Sequence, residues 1–302
     1  MHRLLISTVI TVFLWLLASP ALGQTAPDSE QFRLFDSRGM PATLFQLVEQ
    51  CGKADVVFWG EEHDDAVGHA LQAQFFGQLI ATYKNSRQIA LSMEMFERDT
   101  QVVLDEYLAD LITEKQFLES SRPWSNYSQD LKPLILLAKQ HQLSVIASNA
   151  PRRYVNLVAR RGPQALEALS PTAKTWLAPL PYPPASARYA SKISALMGTG
   201  MAMHSKYMIE SQALWDATMA DSLSRFLKAQ RNPLILHLSG RFHSEQKLGT
   251  VEQLLHLQPL AKICVVTTIS TPSFSAFDAK MHSGLGDFVI LTAPNPKGKA
   301  KP

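Results

Sequence analysis

The sequence predicts an α/β domain: a largely parallel central sheet with helices on both faces and a helical insertion or lid. Three observations predict it. Short β-branched runs alternate with longer stretches of helical periodicity. The runs are continuously apolar, as strands covered on both faces must be. One connection, from 150 to 232, is long and carries the proline cluster "PLPYPP", which must be extended or turning.

The first residues, "MHRLLISTVITVFLWLLASPALGQ", place one early arginine before an apolar run from Leu4 to Ala18, then Pro20 and the small-residue "ALG". This is the pattern of a secretory signal peptide over 1–23, and its apolar core is shorter than the ~20 residues of a spanning helix. No cysteine follows the run, so the expected destination is the periplasm without a lipid anchor. Peripheral association with the outer membrane stays open. The rest is expected to form a single domain over 24–293, with the helical insertion at about 151–231 and a flexible basic tail, "PKGKAKP", over 294–302.

After a polar start, strands are expected at "DVVFWG" (55–60), "QIALSMEM" (88–95), "SVIASN" (144–149), "PLILHLSG" (233–240), "ICVVTTI" (263–269) and "DFVILTA" (287–293). Each is a run rich in β-branched or aromatic residues. Helical periodicity separates them near 65–84, 98–120, 130–142, 151–170, 186–197, 204–230 and 246–257. No internal repeat is visible.

A formal charge of +3 gives no electrostatic reason to expect nucleic acid. Two cysteines, Cys51 and Cys264, exclude zinc ribbons, CxxC redox sites and c-type haem attachment. Each sits beside or inside an expected strand, and two buried free thiols are the reading preferred over a pair. HExxH, GxSxG, GxxxxGK[ST] and a GxGxxG after the first strand are all missing. Zincin, serine hydrolase and nucleotide-binding readings lose ground accordingly.

In an open parallel sheet, ligands bind outside the carboxyl ends of the strands. Here those ends deliver Gly60, Glu61, Glu62 and His63; Glu94; Asn149, Arg152, Arg153 and Tyr154; and His237, Gly240, Arg241 and His243. Glu62 and Asp64 are expected to be solvated loop acids. His69 faces the cluster from the following helix. Glu94 interrupts an apolar strand and needs a partner, because an unpaired buried carboxylate is costly. In the helix at 204–230, His204, Met208, Ser211, Trp215 and Met219 share one face, with the histidine at its head.

With "GEEHDD", "EMF", "NAPRRYV", "SQALWDATMA" and "SGRFH" in this order, the chain resembles the ChaN family of haem-binding uptake proteins, grouped with Tiki, TraB and erythromycin-esterase-like proteins. The resemblance runs from "GEEH" to "TTI". It implies haem or iron acquisition, a tyrosine on haem iron, an assisting histidine from a partner subunit, and two haems stacked at a homodimer interface. Components of a haem-uptake system are the further partners it suggests. It also implies hydrolase relatives that use glutamate and histidine, matching Glu61, His63, Gly240 and His243. Described members are lipoproteins, and this signal peptide has no lipobox cysteine.

The resulting expectation is an exported protein that carries or stores haem without turnover. Tyr154 is the expected iron ligand, with Tyr127 and Tyr207 as the other candidates; a phenolate is a hard anionic ligand suited to ferric iron. His204 is expected to assist, His69 to belong to the same site, and the forked guanidinium groups of Arg152 and Arg153 to hold the propionates. The alternative is a hydrolase built on Glu61, His63, Glu94 and His243, either metal-free or with a divalent metal.

Overall fold

The computed structural model describes residues 30–201 and 206–294, with side chains described outside 196–205. The expected signal peptide, the basic tail from 295 and His204 lie outside the described residues. In chain order the elements are β1 (Phe32–Asp36), α1 (Leu44–Cys51), β2 (Val56–Glu61), α2 (Ala66–Tyr83), β3 (Gln88–Glu97), α3 (Gln101–Leu108), α4 (Glu114–Ser121), α5 (Lys132–Gln140), β4 (Ser144–Asn149), α6 (Arg152–Arg161), α7 (Pro171–Thr175), α8 (Ala187–Met201), α9 (Met208–Ala229), β5 (Pro233–Gly240), α10 (Thr250–Leu257), β6 (Ile263–Ser270), α11 (Ala279–His282) and β7 (Phe288–Thr292). Short 3-10 and π turns join several of them.

The strands form one sheet in the order β1-β7-β6-β2-β5-β3-β4. All pairings are parallel except that of β1 with β7. This is the expected α/β fold, with helices on both faces. β2 and β5 lie side by side in register from Val56 opposite Ile235 to Glu61 opposite Gly240. That pairing brings two of the chemistry-bearing strand ends together.

Alternation sorts the side chains. Val57, Trp59, Leu236, Leu238 and Met93 join α1, α2 and the α3 to α5 region in the main apolar core, while Val56, Phe58, Ala90 and Ile235 meet α9 and α10 on the other face. By the same period of two, Glu61 continues the first face and Glu94 the second. α9 is buried on nearly every side from Ser211 to Ser224, so its Met and Trp positions are mostly packing. Arg98 ties this helix to the end of β3. Its guanidinium donates to the carbonyls of Leu177 and Thr218, to Ser222 Oγ and to Asp221 Oδ2, the last at 2.9 Å.

Several local outcomes differ from the expectations. β1 and α1 were not expected. β1 buries only Leu34 and Phe35, too few for a periodic signal, whereas α1 owes its start to a capping box between Thr43 and Gln46. The helix expected over 98–120 is broken after Leu108, where Asp110 adopts φ 59°. The last long helix begins only at Thr250, because Gly249 turns with φ +57° and a Cβ there would meet the His243 carbonyl at 2.7 Å. The reading of Cys51 and Cys264 as free thiols is corrected: they form a disulfide between α1 and β6, with Cα atoms 5.3 Å apart. Two cysteines 213 residues apart give no pairing signal in sequence; the register of the sheet brings them together.

Candidate functional site

Two polar clusters form where β2, β3 and β5 end, one on each face of the sheet. Glu61 anchors the first. Its carboxylate is buried, with Oε2 accepting from Gln72 Nε2 at 2.7 Å and Oε1 lying 3.0 Å from His63 Nδ1 and 3.4 Å from His69 Nε2. His69 is fully buried in α2, and its Nδ1 lies 3.4 Å from Asp130 Oδ2 on the π turn before α5. Neither His69 contact has good hydrogen-bond alignment, so the imidazole acts as a charge held between two carboxylates.

Electrostatics make this a linked chain. Burial alone raises the Glu61 pKa, but His63, His69 and Gln72 outweigh it and bring it down to about 2. Burial likewise disfavours the charged His69, yet Asp130 and Glu61 lift its pKa to about 10. His63 is also raised: its desolvation is overcome by Glu61 and Glu94. Its side chain remains 48% exposed. The ring stands edge-on to Trp124 with centroids 4.7 Å apart.

The second cluster is interior. Glu94 Oε2 accepts from the Gly240 amide at 2.7 Å, and its Oε1 lies 3.7 Å from His243 Nε2. His243 Nδ1 lies 2.8 Å from Asp216 Oδ1, which also accepts from the Thr250 hydroxyl at 2.8 Å. Burial pushes the His243 pKa down, but the charges of Asp216 and Glu94 raise it to about 9. His237, behind this cluster, has burial and the His243 charge against protonation; its pKa falls to about 3, and its Nδ1 meets Ser92 Oγ at 2.9 Å.

Gly240 separates the clusters. A Cβ there would lie 3.0 Å from both Cε1 and Nε2 of His63 and 3.7 Å from Glu94 Oε2. The missing side chain lets the two pairs, Glu61 with His63 and Glu94 with His243, approach one another. The first cluster opens onto a cleft of about 1110 Å³ lined by His63, Met95, Arg122, Trp124, Asp130 and Arg152, among others. Glu94 and His243 are buried and do not line it.

The other expected residues distribute as follows. Arg152 is exposed and lines the cleft. Arg153 instead donates to Asp99 Oδ2 at 2.6 Å and lies 4.5 Å over the Tyr154 ring. Asp99 also accepts from Arg122 at 2.6 Å, so the contacts run from the cleft through Arg122, Asp99 and Arg153 to Tyr154. Tyr154 is half-buried against an apolar cluster that includes Trp215. Tyr127 is buried with Phe96 and Phe117, and burial pushes its phenol well above the ordinary value. Tyr207 packs near Gly162 at the start of α9. His69 faces Glu61 and Asp130, not the cleft. Glu62, expected to be solvated, is corrected to a half-buried partner of Arg241 at 3.1 Å. Asp64 is exposed.

Sequence reasoning missed Asp130, Asp216 and Arg122. Asp216 carried a signal: it sits among small and apolar residues in "SQALWDATMADS", where a helix apolar all round is buried and an acid must be paired. Asp130 and Arg122 lie in a turn and a helix cap, where charged residues are ordinary.

Comparisons with known proteins agree with this architecture. The family model described as "Haem-binding uptake, Tiki superfamily, ChaN" matches residues 47–254. No curated protein sequence matches. Among solved structures, the chain is similar to ChaN of Campylobacter jejuni, described as binding haem cofacially, at 17% identity and a TM-score of 0.65 over 89% of this chain and 100% of that one. At that identity the likeness concerns the fold. More distant matches are the type III effector HopBA1, at 14% identity, TM-score 0.46, over 83% of this chain and 94% of that one; and a mutant erythromycin esterase, EreC, in its open conformation, at 13% identity, TM-score 0.47, over 87% and 83%.

Proposed function

Because the chain belongs to the ChaN family of haem-binding uptake proteins in the Tiki superfamily, we propose that it binds haem at the cleft above β2 and β3 and serves haem uptake or storage as an exported, periplasmic protein. The observation that carries the proposal is the composition of the cleft. A volume of about 1110 Å³ is slightly above the ~300–1000 Å³ of most small-molecule sites. Its lining combines a flat indole, Trp124, with the exposed guanidinium group of Arg152 and with Arg122, which is itself paired with Glu97 and Asp99; a ring and a cation of this kind suit a planar macrocycle bearing carboxylates.

In this reading Arg152, in the lining of the cleft, meets a propionate, and Tyr154, two residues further along α6 and outside that lining, ligates the iron. Arg153, already held by Asp99, lies over the Tyr154 ring and offers charge compensation to a ligating phenolate. His204 is the assisting imidazole carried by the family resemblance. Haems stacked between the subunits of a homodimer are consistent with the cofacial arrangement named for the Campylobacter jejuni protein. Export is supported by the signal-peptide pattern and by the Cys51 to Cys264 disulfide, since such bonds persist in oxidising compartments. Haem-uptake components are then the partners to seek.

Titration of the purified protein with ferric haem, followed by absorbance and sedimentation, tests this. Saturable binding with a tyrosinate-to-iron charge-transfer band and haem-dependent dimerisation is expected, and Tyr154→Phe should abolish the band. An unchanged spectrum in that variant rules out Tyr154 as the ligand; no saturable binding rules out the function.

A second reading, a metal-free hydrolase, is favoured by one observation: the Glu61/His63 and Glu94/His243 pairs converge beside Gly240. There His63 would activate water and Glu61 orient it. The divalent-metal version has no support among the described residues, where no three His, Cys, Asp or Glu side chains are placed to hold an ion. Turnover of ester substrates that disappears in Glu94→Gln and His243→Ala would favour it.

A further inference from the structure

The helical stretch between β4 and β5 builds a second cavity, of about 540 Å³, that shares no lining residue with the cleft among the described residues. Leu180, Pro181, Tyr182 and Pro184 form one wall, and Pro163, Ile209 and Ala213 help to complete the lining. Proline fixes its own φ and offers no N–H, so this wall is stiff and poor in donors. It is also fastened from outside. The Tyr182 hydroxyl donates to the Glu210 carbonyl at 2.9 Å, the Ala178 amide to the Thr218 hydroxyl at 3.2 Å, and Gln253 Nε2 to the Pro183 carbonyl at 3.4 Å. A wall held in this way does not fold inward to cover its own apolar surface, so the space is formed before a ligand arrives.

The charges around this cavity are unbalanced. Glu210, half-buried in the first turn of α9, belongs to the lining, and its carboxylate has neither an ion pair nor a hydrogen bond among the described residues. Burial, followed by this charge, pushes the Tyr182 phenol above its ordinary value, which places the carboxylate near that ring. An acid in a first turn suits the helix dipole; that explains the charge but not its place beside an apolar wall. Glu167 adds a second, exposed carboxylate. The one cation of the lining, Lys174, already donates to the Glu167 carbonyl at 2.8 Å. A free carboxylate beside apolar surface is matched by a ligand that brings both a cation and a hydrocarbon body. We propose that this cavity binds a small apolar molecule bearing one ammonium group, with the ammonium on Glu210 and the body against Leu180, Tyr182 and Ile209. The same carboxylates repel an anionic porphyrin, so the site differs from the haem cleft in chemistry as well as in place.

Titration of the full chain with n-octylammonium, n-octanol and octanoate, followed by calorimetry and by the methyl resonances of Ile209 and Ala213, tests this. The ammonium should bind saturably and shift the methyls of both residues, with the alcohol weaker and the carboxylate weakest. Glu210→Gln should weaken the ammonium by about 10–100-fold, the loss expected of a charge-assisted hydrogen bond, and leave the alcohol unchanged. Glu210→Lys should reverse the order, with octanoate bound best. A merely structural carboxylate would not exchange the selectivity in this way. Haem uptake, whether the wild type shows it or not, should be the same in both variants, so failure of the haem-binding reading and failure of this proposal are read separately. No saturable binding, equal affinities for the three probes, shifts confined to other methyls, or an ammonium affinity unchanged in Glu210→Gln overturns the proposal.

Discussion

The carboxylate of Asp216 and the imidazole of His243 form a buried pair, Oδ1 to Nδ1 at 2.8 Å, that fastens α9 to the end of β5. Burial opposes the charged imidazole, but Asp216 and Glu94 bring its pKa from 6.5 up to about 9. A folded-state pKa above the unfolded one contributes stability that is complete below about 6.5 and is lost as the pH rises through about 9. Asp216→Asn should therefore cost roughly 3–5 kcal/mol near neutral pH, the range for breaking a buried pair. It should also flatten the decline in stability on the alkaline side. Urea midpoints of wild type and variant across that pH range measure both effects; two curves that run parallel would exclude this pair as their source.

The disulfide between Cys51 and Cys264 closes a loop with a sequence separation of 213 residues and ties α1, whose helix is only eight residues long, to β6. Replacing both cysteines with serine should lower stability by about 2–5 kcal/mol. Reductant should lower the urea midpoint of the wild type and leave that of the double variant unchanged. Thiol titration of the native protein should find no reactive cysteine before reduction.

How much of this was legible in the sequence depends on where each residue sits. Glu61, His63, Glu94 and His243 were visible because each breaks or ends a continuous apolar run, and parallel strands align such ends. Their division into two clusters was not visible, since it depends on which face each carboxylate takes and on Gly240 lying between them. Asp130 reaches His69 only because the chain folds a π turn over α2, a contact across 61 positions that no local pattern encodes. β1 escaped for a different reason: it is an antiparallel edge strand with two buried side chains, and tertiary pairing with β7 creates it.

Arg98 offers a test of how the helical stretch between β4 and β5 is held. Its guanidinium meets two carbonyls, a hydroxyl and the Asp221 carboxylate, a geometry that a forked cation satisfies and a single ammonium cannot. Arg98→Ala should cost about 3–5 kcal/mol, the range for leaving a buried pair broken, and should speed proteolytic nicking within residues 150–232. Arg98→Lys should recover only a minor part of either effect. Full recovery in the lysine variant would mean that charge alone matters there.

The Glu61 and His69 pair predicts a stability plateau with two different edges. Glu61 drops from 4.5 to about 2 because its partners outweigh burial, so its contribution is complete above about 4.5 and is lost as the pH falls through about 2. His69 moves the other way, from 6.5 to about 10, with Asp130 and Glu61 overcoming desolvation, so its contribution is complete below about 6.5 and fades as the pH rises through about 10. Between about 4.5 and 6.5 both contributions are whole. His69→Gln keeps a polar side chain in α2 but removes the charge, and should cost roughly 3–5 kcal/mol within that window. It should also raise the pH of the acid transition, because Glu61 then lacks the neighbouring cation that keeps it ionised. Chemical denaturation from about pH 1.5 to about pH 11, with the Glu61 carboxyl followed by NMR, spans the edges near 2 and near 10 and measures both. If His69→Gln leaves the acid edge in place, His69 is not what holds Glu61 ionised, and Gln72 and His63 alone must do so.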